Sequence, residues 1–213
     1  MSVENPSSEE KNNRHFIWGF VGLVCGVFLG ILISMNRGSA ENRGSYTLES
    51  DNNGDGKSDT TFHYERGDIT RAEHDRNFDG KPDHFEWYED GIVSRAESDD
   101  DFDGKIDGWL TYRNGNLWLS KHDTDKNGVP DVFQHFEHGV IKMVVWRPNE
   151  SGKPRRIEFY EKAVKARELR DTTGDGLLDT AATFDAFENQ VSEEKLSEPL
   201  NAEDAISGVP HKR

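Results

Sequence analysis

Two hydrophobic patterns divide the chain. The first is an unbroken apolar run, FIWGFVGLVCGVFLGILISM from Phe16 to Met35, 20 residues without a charge. As a helix it would be about 30 Å long, enough to cross a bilayer core. The second pattern begins near residue 46, where short stretches rich in Tyr, Phe, Trp, Val, Ile and Thr alternate apolar with polar positions and are broken by Gly-containing turns and acidic segments. Period-two alternation between turn signals predicts β-strands, not helices. The expected order is a polar tail (1–15), a transmembrane helix of the signal-anchor type (16–35), a tether (36–45), a β-repeat domain (46–188) and an acidic, disordered tail (189–213).

A cleaved secretory signal is the competing reading of the apolar run, with Gly38 and Ala40 as small residues before a cut. The length of the run, and Arg37 between it and that cut, favour an uncleaved anchor. Lipoprotein processing at Cys25 is disfavoured by the bulky Val24 before it. Gly22, Gly26 and Gly30 fall on one helical face, so a homodimer through that face is an expected membrane contact, with lipid-facing glycines as the simpler alternative.

The β region is an internal repeat. DNNGDGKSD from Asp51, DRNFDGKPD from Asp75, DDDFDGKID from Asp99, DTDKNGVPD from Asp123 and DTTGDGLLD from Asp171 share one pattern, with starts separated by 24, 24, 24 and 48 residues. At the midpoint of the double gap, RPNESGKPR keeps Asn149, Ser151 and Gly152 in register but places Arg147 and Arg155 where acids stood, a decayed sixth copy. A fixed period of this length marks a repeat architecture.

Between the acidic segments, Tyr64, Tyr88, Tyr112, Phe136, Tyr160 and Phe184 hold the fourteenth position of their repeats, followed three residues later by Gly67, Gly91, Gly115 and Gly139 in four copies. Asp90-Gly91 and Asn114-Gly115 are preferred centres of a two-residue hairpin turn. Each repeat is therefore expected to be a β-hairpin, giving an all-β tandem array of about six units, whether ribbon, solenoid or propeller. The turn would set each ring opposite Ile69, Val93, Leu117 or Ile141, with Tyr160 on Lys165 and Phe184 on Asn189. Further from the turn it would pair Glu86 with Arg95, Leu110 with Leu119 and Glu158 with Arg167.

Composition changes the picture in two ways. Only 33% of residues are hydrophobic, so apolar burial needs help, and a net charge of −15 repels nucleic acid while concentrating cations. Oxygen donors at positions 1, 3, 5 and 9, with glycine at 6, are what a calcium ion requires, and magnesium fits such loops less well. The expected ligands are Asp51, Asn53, Asp55 and Asp59; Asp75, Asn77, Asp79 and Asp83; Asp99, Asp101, Asp103 and Asp107; Asp123, Asp125, Asn127 and Asp131; and Asp171, Thr173, Asp175 and Asp179. The third loop has four carboxylates and should bind most tightly.

These segments resemble the DxDxDG calcium loops of EF-hand proteins. They depart from a helix-loop-helix EF-hand because the flanks read as strands and position 12 is Phe62, Leu110, Gln134 or Ala182 in four copies, with Glu only at Glu86 and, in the decayed copy, Glu158. The closer similarity is to integrin-type and thrombospondin type 3 repeats. That resemblance implies that Asp59, Asp83, Asp107, Asp131 and Asp179 close the shell. The alternative is that Asp, Asn and Gly merely form turns.

Weak calcium modules work where the ion is near millimolar, which places the C-terminal region outside the cytoplasm, periplasmic or at the cell surface. Trp87, Trp109 and Trp118 fall on the face opposite the tyrosines and would be either core or a stacking row for sugars. With no nucleophile beside a base and no phosphate-cradling loop, the expectation is a non-enzymatic, membrane-anchored calcium repeat protein with a structural or adhesive role and a protein or glycan partner. A carbohydrate-binding module and a calcium sensor are the alternatives.

Overall fold

The computed structural model describes residues 44–147 and 152–207. The apolar segment 16–35 with Gly22, Gly26 and Gly30, the start of the tether, and residues 148–151 and 208–213 lie outside them. Among the described residues no helix is long and apolar enough to cross a membrane.

The expected strands form, and one that was not expected follows them at the C-terminal end. They are β1 (Tyr46–Ser50), β2 (Thr60–Glu65), β3 (Asp68–His74), β4 (His84–Glu89), β5 (Ile92–Ser98), β6 (Gly108–Arg113) and β7 (Asn116–His122), continuing with β8 (Val132–Glu137), β9 (Val140–Trp146), β10 (Arg156–Glu161), β11 (Val164–Arg170), β12 (Leu178–Phe184) and β13 (Gln190–Leu200). One antiparallel sheet carries all thirteen in sequence order. β2–β3 and each later pair through β12–β13 are hairpins, and the acidic loops join one hairpin to the next. All acidic loops therefore share one end of the strands and all hairpin turns the other. Strands about 4.8 Å apart place successive acidic loops about 10 Å apart along that edge.

The turns obey their sequence signature. Asp90 and Gly91 have φ of 51° and 75°, and Asn114 and Gly115 have 50° and 74°, positive at both central positions as a two-residue hairpin turn demands. The decayed repeat puts Ala163 in this region at φ 64°. Ala163→Gly is expected to stabilise the fold by about 1 kcal/mol, since removing Cβ relieves the left-handed conformation. Denaturant unfolding should show a higher midpoint at unchanged slope.

The aromatic–aliphatic pairs Tyr64–Ile69, Tyr88–Val93, Tyr112–Leu117 and Phe136–Ile141 occur in the expected register, as does Tyr160–Lys165. One step further from the turn the register departs from expectation. A bulge lies between Trp87 and Tyr88, and at the equivalent place in β6 and β10, so Arg95 faces Trp87, Leu119 faces Thr111 and Arg167 faces Phe159. Glu86, Leu110 and Glu158 face Ala96, Ser120 and Glu168 instead. The extra residue can satisfy itself locally: Ser94 Oγ donates to the Trp87 carbonyl at 3.2 Å and Thr70 Oγ1 to the His63 carbonyl at 3.3 Å. In the last hairpin Asp185 Oδ1 accepts the Phe187 and Asn189 amides, both at 2.9 Å, and the wider turn sets Phe184 opposite Gln190, not Asn189.

The tail 189–213 was expected to be disordered or a frayed helix. It instead supplies β13 and a short helix, α1 (Ala202–Ser207). Leu196, Leu200, Ala202, Ala205 and Ile206 pack on a core of Met143, Val145, Ile157, Leu169, Leu178 and Ala181. Those contacts lie on the tryptophan face of the sheet. Asn201 begins the helix by accepting the Asp204 amide at 2.8 Å, a capping signal that the polar composition obscured.

Candidate metal loops

Each acidic loop starts and finishes inside the sheet ladder. The Asp83 amide donates to the His74 carbonyl at 2.8 Å and the Asp99 amide to the Asp83 carbonyl at 2.8 Å, and the same two bonds recur along the edge. The sheet thus fixes positions 1 and 9 before any side chain acts. Position 6 must be glycine because its φ lies in the left-handed region: 89°, 90°, 92°, 89° and 86° in the five intact copies.

Within the loop, carboxylates take backbone donors in a repeated scheme. Position 1 accepts from the glycine at 6: Asp51 from Gly56 (2.8 Å), Asp75 from Gly80 (2.6 Å), Asp99 from Gly104 (2.7 Å) and Asp171 from Gly176 (2.8 Å), with Asp123 and Gly128 paired likewise. Position 9 accepts from the amide at 2, as Asp59 does from Asn52 at 2.7 Å and Asp107 from Asp100 at 3.1 Å. Asp83, Asp131 and Asp179 repeat that contact. Asn53, Asn77, Asp101 and Asp125 at position 3 accept from position 5. Asp55, Asp79, Asp103, Asn127 and Asp175 at position 5 accept from position 7. Thr173 departs from this scheme, since its amide and hydroxyl both donate to Asp171.

The scheme draws acids together in two neighbouring loops. Carboxylate oxygens of Asp99, Asp101 and Asp107 lie within 4.8 Å of one another, and so do those of Asp123, Asp125 and Asp131. These clusters can hold a metal ion. The other intact loops keep the contacts at positions 1, 5 and 9 but carry Asn53, Asn77 or Thr173 at position 3.

The electrostatics single out the third loop. Burial, then the charges of Asp100 and Asp101, push the Asp107 carboxyl up to about 7. Asp131 is raised by burial and by Asp125 and Asp123. Other ligands are held low instead: Asp51 by the Gly56 and Gly54 amides, and Asp179, at about 2, by the hydroxyls of Thr180 and Thr172. Desolvation works against the charge of Asp171, yet the Gly176 and Gly174 amides outweigh it and hold that carboxyl low as well. Crowded carboxylates with raised proton affinity are the condition that a divalent cation relieves.

Sequence reasoning missed the basic side chains that cross between loops. Lys126 pairs with Asp101, lowering that carboxyl. Arg76 binds Asp83, the Asp99 carbonyl (2.8 Å) and Asp100 (3.2 Å). The available signal was Arg76 and Asp100, opposite charges at the same repeat position one period apart.

The tryptophans lie on their expected face, with ring faces that are already engaged. The Arg95 guanidinium sits 3.7 Å and that of Arg71 5.5 Å from the Trp87 ring centre, and Arg113 covers Trp118 at 3.5 Å. By register Trp109 stands between Glu97 and Lys121. A hydroxyl beside an imidazole does occur, Ser120 Oγ with His122 Nε2 at 3.1 Å. Ser120 donates to Gln134 Oε1 at 2.9 Å and is 2% exposed, out of reach of a substrate.

No family model matches the chain, and no curated protein matches it. The reading of the loops therefore rests on their own geometry.

Proposed function

We propose that this chain is a membrane-anchored, extracytoplasmic calcium-binding repeat protein, in which calcium held along one sheet edge stiffens a β-array that presents a binding or spacing element. One observation carries the reading: carboxylates at positions 1, 3 and 9 converge in two consecutive loops of a fixed period, on a backbone scaffold built alike in the five intact copies. The donors are hard oxygens, as calcium prefers, and the sheet supplies the rigidity that a weakly hydrophobic chain needs. The apolar segment 16–35 supports the anchor and its glycine face the homodimer. Arg95 and Arg113 occupy ring faces that a stacked sugar would use, so the tryptophan row is read as packing.

Equilibrium dialysis of the purified full-length chain against calcium tests the proposal. Several ions should bind with dissociation constants at or below about 1 mM, and Asp101→Asn should remove the tightest. A chain that binds no calcium at that concentration would refute the reading.

A further inference from the structure

We propose that His74, His84 and Glu86 form a second kind of metal site, for one ion of the Zn2+ class, using none of the acidic-loop ligands. His74 ends β3 and His84 begins β4, and the two are direct cross-strand partners. Glu86 stands two residues further along β4 and so on the same face. Both imidazoles meet its carboxylate: His84 Nε2 is 3.4 Å from Oε1 and His74 Nε2 is 3.9 Å from Oε2.

The two contacts approach those of a shared ion, although the three side chains do not yet bring one ligand atom each within 4.8 Å of the others as the two acidic clusters do. With bonds of about 2.1 Å, ligand atoms around a tetrahedral Zn2+ are about 3.4 Å apart, and two imidazoles on it have ring centres about 5 Å apart. The ring centres of His74 and His84 are 5.7 Å apart, so both imidazoles must turn toward the Glu86 carboxylate for one ion to reach all three. A supporting shell is already present. Thr60 Oγ1 lies 3.2 Å from His74 Nδ1, leaving Nε2 to face the carboxylate, and the Tyr88 hydroxyl donates to Glu86.

The chemistry differs from that of the loops. Imidazole nitrogens favour Zn2+ and its neighbours over calcium, which takes oxygen. The site is sheltered, with side chains of His74, His84 and Glu86 exposed by 19%, 12% and 17%. It also occurs once: the same positions one repeat later are Ser98, Gly108 and Leu110, and two repeats later His122, Val132 and Gln134.

The test is zinc competition against a chromophoric chelator with the full-length chain kept saturated in calcium. One zinc site is expected. His84→Ala and His74→Ala should each weaken it more than about 100-fold, and Thr60→Ala about 10-fold by loosening His74. Glu86→Gln, nearly isosteric and still able to accept from Tyr88 through its amide oxygen, should weaken it, and its melting temperature in calcium, read alongside, keeps the test decisive if a histidine variant fails to fold. Co2+ loaded in place of zinc should give the visible band of a four-coordinate ion, lost in His84→Ala and kept in His138→Ala at an exposed turn. Zinc binding that is absent, or equal in the wild type, His84→Ala and Glu86→Gln, would overturn the proposal. Because calcium is present throughout, that failure would leave the loop reading standing.

Discussion

Removing calcium with a chelator should lower the unfolding temperature of the full-length chain by about 10–20 °C. A ligand at about 100 times its dissociation constant stabilises by about 2.7 kcal/mol per site, and the two converged clusters give about 5 kcal/mol together. In a domain of this size each kcal/mol moves the midpoint by about 2–4 °C. The effect is large because without calcium a half-buried Asp107 is held against the charges of Asp100 and Asp101. Asp99, Asp101 and Asp107 crowd their oxygens within 4.8 Å, and the sheet ladder at positions 1 and 9 prevents them from separating. Differential scanning calorimetry with and without chelator reads the shift directly. A midpoint independent of calcium would mean that the acids are turn formers.

The second large effect is a change of sign. In calcium, Asp107→Asn should destabilise, because it removes a charged ligand from the loop with the most carboxylates. In chelator the same substitution should stabilise. Asp107 is then the acid that burial and the charges of Asp100 and Asp101 push up to about 7, and a neutral carboxamide in its place would relieve that repulsion while still accepting the Asp100 amide. The pH dependence follows. A carboxyl whose folded pKa is raised binds protons more tightly in the folded state, so metal-free stability falls as pH rises from its ordinary 3.8 to about 7. Asp107→Asn should flatten that fall. Thermal melts at several pH values, with and without calcium, check both signs; a substitution that destabilises equally in both would show that Asp107 serves packing alone.

The hairpin turns and the loop scaffold were readable in the sequence, because each follows from local chemistry. Paired positive-φ residues such as Asn114 and Gly115 fix the turn, and the turn fixes the first cross-strand pair, Tyr112 with Leu117. The glycine and acid spacing determined the loop scaffold in the same way. What could not be read depends on three dimensions. The bulge beside Tyr88 moves Arg95 from Glu86 to Trp87, and nothing in the alternation of residues marks it. That single shift frees Glu86 for His74 and His84. Desolvation alone would raise the Glu86 carboxyl, but the nearby His74 imidazole and hydrogen bonds from His84 and Tyr88 hold it below the usual range.

The C-terminal strand and helix were hidden for a different reason. β13 carries Glu193, Glu194 and Glu198, and gains its order from pairing with β12 while Leu196 and Leu200 reach the core. Sparse apolar residues among acids read as disorder unless their partners are known. The contacts of Arg76 and Lys126 with the third loop likewise join residues about one repeat apart, beyond any local pattern.

Hydrogen exchange of the full-length chain with calcium and with chelator tests the central claim most directly, because the molecule contains its own control. Calcium should protect peptides covering 99–107 and 123–131, above all the Gly104 and Gly128 amides that bond to Asp99 and Asp123, and should leave the loop bounded by Arg147 and Arg155 unchanged. Protection that is absent, or that rises equally in the arginine-bounded loop, would contradict it.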